Sequence, residues 1–156
     1  MHRIEVGSVS RLVGLLEILE DMGSTVDIAK LDDSLDEERT TLMNLLDDGE
    51  SLQLITVTNG DVSLTETGRK LVNSNLEERK KMLKELIKGV EPFHSTIEFF
   101  KSSRTKSVLK EDLERFLSET FPTGDNEDIL RTTLNWGRYT KLLSYDSDEG
   151  HVLLLD

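Results

Sequence analysis

The chain has 156 residues, of which 36% are hydrophobic and 32% charged, and its 31 Asp and Glu outnumber its 19 Lys and Arg to give a net charge of −12. This length fits one compact domain or two small ones, and the composition retains enough Leu, Ile and Val to exclude a disordered chain. The negative charge disfavours non-specific nucleic-acid binding, and the absence of Cys excludes disulfides and thiolate chemistry.

Leucines at helical spacing predict a first amphipathic helix over residues 11–22, which Gly23 ends. These leucines are Leu12, Leu15, Leu16 and Leu19. A short second helix is predicted over residues 27–31. A third helix is predicted to be capped by Asp36 and to run toward Gly49.

The hydrophobic period then changes from helical to extended. Apolar residues within 52–57 lead into the dipeptide Asn59-Gly60, which suits the positive φ angles of a tight hairpin turn, and apolar residues continue within 62–64. Three helices followed by a hairpin is the order of a winged helix. Residues 1–75 are therefore predicted to form a first winged-helix-like unit.

Helical segments dominate the middle of the chain. Residues 67–75 and 76–88 are predicted to be helical, the second with paired Glu and Lys and a narrow apolar stripe. We expect the segment 76–90 to connect the first unit to a second winged-helix-like unit formed by residues 91–156.

The second unit is predicted to repeat the same order of elements. Helices are expected around residues 93–100 and over 109–121, and a further helix is expected to begin at the cap Asp125 and to run toward Gly137. Residues 142–145 and 152–155 are predicted to form a second hairpin. The predicted fold class is mostly α with short β-hairpins (α+β), in two tandem units.

The two halves can be superimposed residue by residue. Four pairs share an offset of 88 residues, namely Leu46 with Leu134, Gly49 with Gly137, Leu54 with Leu142 and Ile55 with Leu143. The offset then changes to 90, which pairs Val62 with Val152 and Leu64 with Leu154. Because the glycine and the hairpin both fall in register, an internal duplication is predicted.

Several short segments resemble the AAA-associated C-terminal domain family. They are residues 10–17 (SRLVGLLE), 64–69 (LTETGR), 78–80 (ERK), 135–139 (NWGRY) and 144–146 (SYD). The last two segments are the most specific, because the helical segments alone would match many unrelated proteins. The resemblance extends over about residues 6–155.

The resemblance implies a setting and not a reaction. Domains of this family are appended to ATP-binding subunits of nitrate, sulfonate and bicarbonate type ABC transporters, and they also occur as stand-alone prokaryotic proteins. This sequence departs from the full-length pattern because it lacks the ATPase. It contains no Gly-x-x-x-x-Gly-Lys-Ser/Thr segment, so no phosphate-binding loop can be assigned.

Other chemistry is not predicted. His2, His94 and His151 are dispersed without partners at metal-ligand spacing, and no Ser or Thr lies in a Gly-x-Ser-x-Gly elbow. We therefore expect a non-enzymatic protein without metal or cofactor. Residues 1–10 contain Glu5 and no apolar run, and no segment approaches a membrane-spanning length, so we expect a cytoplasmic protein without membrane insertion.

An aromatic group lies around the second hairpin and allows two interpretations. Trp136, Arg138, Tyr139 and Tyr145 form either a packed core or a candidate interaction surface, because Trp and Tyr contribute large contact area to both.

Three functions remain open. The first is an accessory or regulatory interaction domain whose partner is a transporter ATPase subunit or a second copy of the chain. The second is a winged-helix DNA-binding regulator, whose candidate DNA contacts are Arg131, Thr132, Asn135, Arg138 and Lys141. The third is a small-ligand sensor. The net charge of −12 favours the first function over the second.

Overall fold

The computed structural model of the chain describes residues 2–35 and 37–156. Within these residues it contains eight helices and two three-stranded antiparallel sheets. The predicted mostly α class with short strands (α+β) is confirmed. The described chain divides into two compact units, which are Ile4–Arg79 with His2 and Lys80–Asp156 with Arg3.

The N-terminal unit contains four helices and three strands. They are α1 (Val9–Asp21), β1 (Thr25–Asp27), α2 (Ile28–Ser34), α3 (Arg39–Ser51), β2 (Ile55–Thr58), β3 (Asp61–Leu64) and α4 (Glu66–Val72). The sheet has the order β1-β3-β2. Strand β1, which lies between α1 and α2 in the sequence, therefore adds a third strand to the hairpin β2-β3 by pairing with β3. The core is aliphatic and includes the four leucines predicted for α1.

The C-terminal unit repeats this order after a further helix. Its elements are α5 (Leu76–Ile87), α6 (Phe93–Ser103), β4 (Ser107–Leu109), α7 (Lys110–Thr120), α8 (Asn126–Tyr139), β5 (Leu143–Asp146) and β6 (His151–Leu154). The sheet order is β4-β6-β5. The division between the two compact units lies within α5, which covers most of the predicted connecting segment 76–90. Phe93, Phe100 and Trp136 are fully buried in this unit.

The two sheets have the same register at the positions that the sequence superimposes. Ile55 pairs with Leu64 in the first hairpin, and Leu143 pairs with Leu154 in the second. The first residue of the second helix in each repeat also donates a backbone hydrogen bond to the carbonyl oxygen of a glycine in the hairpin turn. Ile28 donates to Gly60, and Lys110 donates to Gly150. These equivalences support the predicted duplication.

A glycine on the third helix of each repeat faces the first residue of the following hairpin. A methyl group at Gly49 would lie 3.0 Å from Cδ1 of Ile55, and a methyl group at Gly137 would lie 2.6 Å from Cδ1 of Leu143. The two pairs are among those that the sequence superimposes. Close approach of helix and strand therefore explains why glycine stands at both positions.

The predicted turn and one predicted cap are confirmed. Asn59 and Gly60 have φ angles of 54° and 82°, as a two-residue hairpin turn requires. The Asp125 side chain accepts a hydrogen bond from the N–H of Asp128 at the start of α8. The predicted cap Asp36 lies outside the described residues. Helix α3 begins at Arg39 with Glu38 at the N-cap position, and the Glu38 side chain makes no capping hydrogen bond.

Strands β1 and β4 were not predicted from the sequence. Each has three residues, and each pairs with a strand that lies more than 30 residues later in the chain. Three residues are too few to establish an alternating pattern, so only the distant pairing identifies these segments as strands.

The carboxylate of Asp48 is buried inside the N-terminal unit. Its Oδ1 accepts hydrogen bonds from the backbone N–H of Glu5 and from Nε2 of His2, and its Oδ2 accepts one from the N–H of Val6, all at 2.9 Å. Burial raises the pKa of Asp48 above its ordinary value of 3.8, although the hydrogen bonds from His2, Glu5 and Val6 act in the opposite direction. Asp48 thus attaches the N-terminal segment to α3.

We expect Asp48 to make the stability of the N-terminal unit depend on pH. A raised pKa in the folded state means that its stabilising contribution is greatest below pH 3.8 and is lost as the pH rises through the raised pKa. The difference in unfolding free energy between the wild type and Asp48→Asn should therefore decrease between about pH 3 and pH 7. Denaturant unfolding followed by circular dichroism measures this difference.

The control for this prediction is Asp33→Asn, at an exposed position on α2. Its effect should stay within about 0.5 kcal/mol over the same pH range. A difference for Asp48→Asn that increases with pH would contradict the prediction.

We also expect Gly137→Ala to destabilise the C-terminal unit. The added methyl would overlap Leu143, at a cost of about 1–3 kcal/mol, which outweighs a gain of up to about 1 kcal/mol in helix propensity. Gly89→Ala is the control in the same unit, because its methyl would meet only the carbonyl oxygen of Leu86, at 3.8 Å. Denaturation followed by fluorescence of Trp136, the only Trp, measures both. Equal midpoints for the two variants would refute the overlap.

Candidate binding groove on helix α8

Helix α8 presents a polar stripe on the surface of the C-terminal unit. Its buried face includes Leu130, Thr133 and Trp136, which pack into the core. Arg131, Asn135 and Arg138 are exposed and follow the spacing i, i+4, i+7, so they share the opposite face. We call these three residues the α8 stripe.

The α8 stripe forms one side of a groove of about 390 Å³. Helix α7 contributes Lys110 and Glu114 to this groove, and strand β5 contributes Tyr145. The ammonium group of Lys110 lies 5.9 Å from the centroid of the Tyr145 ring, a distance at which a cation is attracted to the ring face. We call this feature the α8 groove.

Cations predominate in the α8 groove. Lys110, Arg131 and Arg138 line it, against the two carboxylates of Glu114 and Glu127. Arg131 also forms an ion pair with Asp128, with Nη1 3.3 Å from Oδ1, but both side chains are more than half exposed. Such exposed pairs contribute little free energy, so Arg131 can exchange this partner for another.

The structure brings four of the sequence-predicted residues together. Arg131, Asn135 and Arg138 were candidate DNA contacts, and Tyr145 was a candidate interaction residue, as was Arg138. All four line the α8 groove. They are separated by up to 14 positions in the sequence and meet because β5 turns back beside α8.

The prediction that Trp136 and Thr132 make surface contacts is wrong. Trp136 has no exposed area, so it belongs to the core and not to an interaction surface. Thr132 is 2% exposed, so it is not accessible to DNA. Thr132 follows the exposed Arg131, and Trp136 follows the exposed Asn135. Successive side chains on a helix differ in direction by about 100°, so both residues point toward the core.

The remaining two predicted residues lie outside the groove. Tyr139 is half-buried, and the ammonium group of Lys80 lies 5.6 Å from the centroid of its ring. Lys141 is exposed and has a φ of 63° in the turn before β5. Lys110 and Glu114, by contrast, belong to the groove and were not predicted, because only the packing of α7 on α8 brings them there.

The same face of the N-terminal unit has a different chemistry. At the offset of 88, Arg131 corresponds to Met43, Asn135 to Asp47 and Arg138 to Glu50, and all three counterparts are exposed. We call them the α3 stripe. The exposed faces of the duplicated helices therefore differ, because the α3 stripe carries two acidic residues and the α8 stripe carries two arginines.

A larger groove, of about 620 Å³, lies elsewhere in the C-terminal unit. It is lined by the stacked rings of Phe99 and Phe116, whose centroids are 4.4 Å apart, and by Ser107 and His151. The Ser107 hydroxyl lies 3.2 Å from Nδ1 of His151, but no hydrogen bond joins His151 to a carboxylate of the described residues. The third group that orients the base of a catalytic triad is therefore not assembled there.

The described ranges show neither a metal-binding cluster nor a membrane-spanning helix. Residues 2–35 and 37–156 contain no group of three or more His, Asp and Glu side chains arranged to hold a metal ion. In the same part of the chain, no helix combines the length and the apolar character needed to cross a membrane.

Comparison with known proteins identifies the family. Residues 29–146 match the family described as the C-terminal AAA-associated domain, and this range includes all residues that line the α8 groove. No curated protein and no solved structure matches the chain. Because the matched range covers more than half of the 156 residues, the chain belongs to the C-terminal AAA-associated domain family.

Proposed function

We propose that the chain is a non-catalytic accessory domain that associates with the ATP-binding subunit of an ABC transporter of the nitrate, sulfonate or bicarbonate type. The observation that carries this proposal is the family match over residues 29–146. The same proposal implies a cytoplasmic location, since ATP-binding subunits act on that side of the membrane.

The order of elements supports the winged-helix-like interpretation that belongs to this proposal. Each repeat has the order helix, strand, helix, helix, strand, strand, with a three-stranded antiparallel sheet. In this interpretation α8 is the third helix of its unit and the hairpin β5-β6 is the wing. In DNA-binding units of the helix-turn-helix type the recognition helix makes the main contact, and we infer that α8 has the corresponding role towards a protein partner.

The α8 groove is the contact surface that we assign to the ATPase. Tyr and Arg are enriched among residues that dominate protein interfaces, and Tyr145, Arg138 and Leu134 all line this groove. The three cations of this groove attract acidic side chains at short range, although the net charge of −12 opposes the approach of an acidic partner at long range.

We expect charge reversal in the α8 groove to weaken binding to the ATPase. The test uses purified ATP-binding subunits of the ABC transporters encoded in the same genome and measures binding by biolayer interferometry. One subunit should bind the wild type, and the double variant Arg131→Glu, Arg138→Glu should bind at least about tenfold more weakly.

The matched control reverses two cations of another groove in the same unit, Lys101→Glu and Arg104→Glu. It changes the net charge by the same amount and should leave the affinity within about twofold. The proposed association is refuted if none of the subunits binds. The assignment of the surface is refuted if both double variants weaken binding equally.

DNA binding is the second candidate, and the exposed Arg131, Asn135 and Arg138 on a third helix favour it. Three acidic residues at the start of α8 oppose it, because this end of a recognition helix approaches the phosphates. They are Asp125, Glu127 and Asp128.

We expect no sequence-preferring DNA complex at physiological salt. An electrophoretic mobility shift with fragmented DNA of the same genome, at about 50 mM and about 150 mM salt, measures this. A shift that persists at the higher salt, and that Arg131→Glu with Arg138→Glu removes, would replace the proposed function by DNA-binding regulation.

A further inference from the structure

The exposed stripes of α3 and α8 are complementary in charge. The α3 stripe presents Asp47 and Glu50, and the α8 stripe presents Arg131 and Arg138, of which Glu50 and Arg138 occupy positions related by the duplication. Both stripes follow the spacing i, i+4, i+7, so both are narrow rows on the surface of a helix. The two acidic residues are three positions apart and the two arginines seven, so when two such helices dock side by side the long Arg side chains can reach an acidic pair that lies between them.

The charge of the whole chain has the same asymmetry. Residues 1–79 hold 17 Asp and Glu against 7 Lys and Arg, whereas residues 80–156 hold 14 against 12. The half that contains α3 is therefore strongly acidic, and the half that contains α8 is nearly balanced. Both halves are nevertheless net negative, by 10 and by 2 charges, so attraction between two copies has to come from the local charges of the α3 stripe and the α8 groove.

An apolar side chain completes the complementarity. Met43, the first residue of the α3 stripe, is 36% exposed and is one of the few large hydrophobic side chains on the surface. The α8 groove contains Leu134 and the ring of Tyr145 beside its cations. The flexible thioether of Met packs well against aromatic rings, so the ring of Tyr145 in the groove is a suitable contact for Met43.

We propose that the α3 stripe of one copy docks into the α8 groove of a second copy. The acidic side chains face Arg131 and Arg138, and Met43 inserts beside Tyr145. This inference goes beyond the proposed function and does not depend on an ATPase, although a second copy and an ATP-binding subunit would compete for the same groove. Each copy has one stripe and one groove, so the contact is head-to-tail, and each copy can bind two others.

Sedimentation of the purified full chain over a range of concentrations tests the proposal. We expect the weight-average mass to rise above the 17.7 kDa of one copy as the concentration increases. A mass of one copy up to about millimolar concentration, where even weak specific contacts are populated, would overturn the proposal.

Two double variants separate this contact from general aggregation. Asp47→Arg with Glu50→Arg reverses the α3 stripe, and Arg131→Glu with Arg138→Glu reverses the groove. Each variant alone should sediment as a single copy, since its stripe and groove then have the same charge. The control Lys101→Glu with Arg104→Glu leaves both surfaces intact and should associate as the wild type does.

The decisive measurement is a mixture of the two double variants. The unaltered acidic stripe of the groove variant fits the unaltered groove of the stripe variant, and the two reversed surfaces fit each other. We therefore expect association to return in the mixture, with a dissociation constant at least about tenfold lower than for either variant alone. A mixture that remains dissociated would overturn the proposal.

Folding of each variant is checked by the fluorescence of the buried Trp136 and by circular dichroism. The four substituted side chains are exposed, so native spectra are expected. The single variants Glu50→Arg and Arg138→Glu repeat the test with half of the charge change. They should show intermediate dissociation, and wild-type association in both would contradict the assignment. Failure of ATPase binding would leave this result unaffected, because no ATPase is present.

Discussion

The contact between a glycine on the third helix and the first residue of the following hairpin determines the arrangement of each unit. Gly137 lies against Leu143, and Gly49 lies against Ile55. At Gly137 a methyl group would fit only if Leu143 moved. Because the helix and the strand meet so closely, the rotation of the helix about its axis is fixed. That rotation decides which residues enter the core and which form the exposed stripe.

The buried face of the third helix tolerates a large difference in chemistry at one position. Asp48 and Trp136 correspond at the offset of 88, and both are fully buried. The carboxylate of Asp48 is accommodated because backbone N–H groups and His2 donate to it, whereas the indole of Trp136 fills the same part of the core with apolar volume. The two units thus have the same topology with different interior residues. Their exposed stripes also differ, at all three equivalent positions.

The sequence predicts the helices, the hairpins and their repetition, because these features have local signals. Leucines at helical spacing, Asn59-Gly60 in a turn and Asp125 at a cap act over a few residues each. The strands β1 and β4 depend on partners far along the chain, so they have no such signal. The candidate site was predicted only in part for the same reason. Helical periodicity separates Arg131 from Thr132, but Lys110 and Tyr145 join the α8 groove through tertiary packing.

Net charge therefore describes this protein less well than the distribution of its charge. A value of −12 argues against polyanionic partners for the molecule as a whole, yet three of its cations meet in one groove next to an aromatic ring. Electrostatic screening limits each surface charge to a range of about 10 Å at ordinary ionic strength, so a bound partner responds mainly to the charges that line the groove. The duplicated helix α3 carries Asp47 and Glu50 where α8 carries Asn135 and Arg138, which makes partner choice a property of each third helix separately.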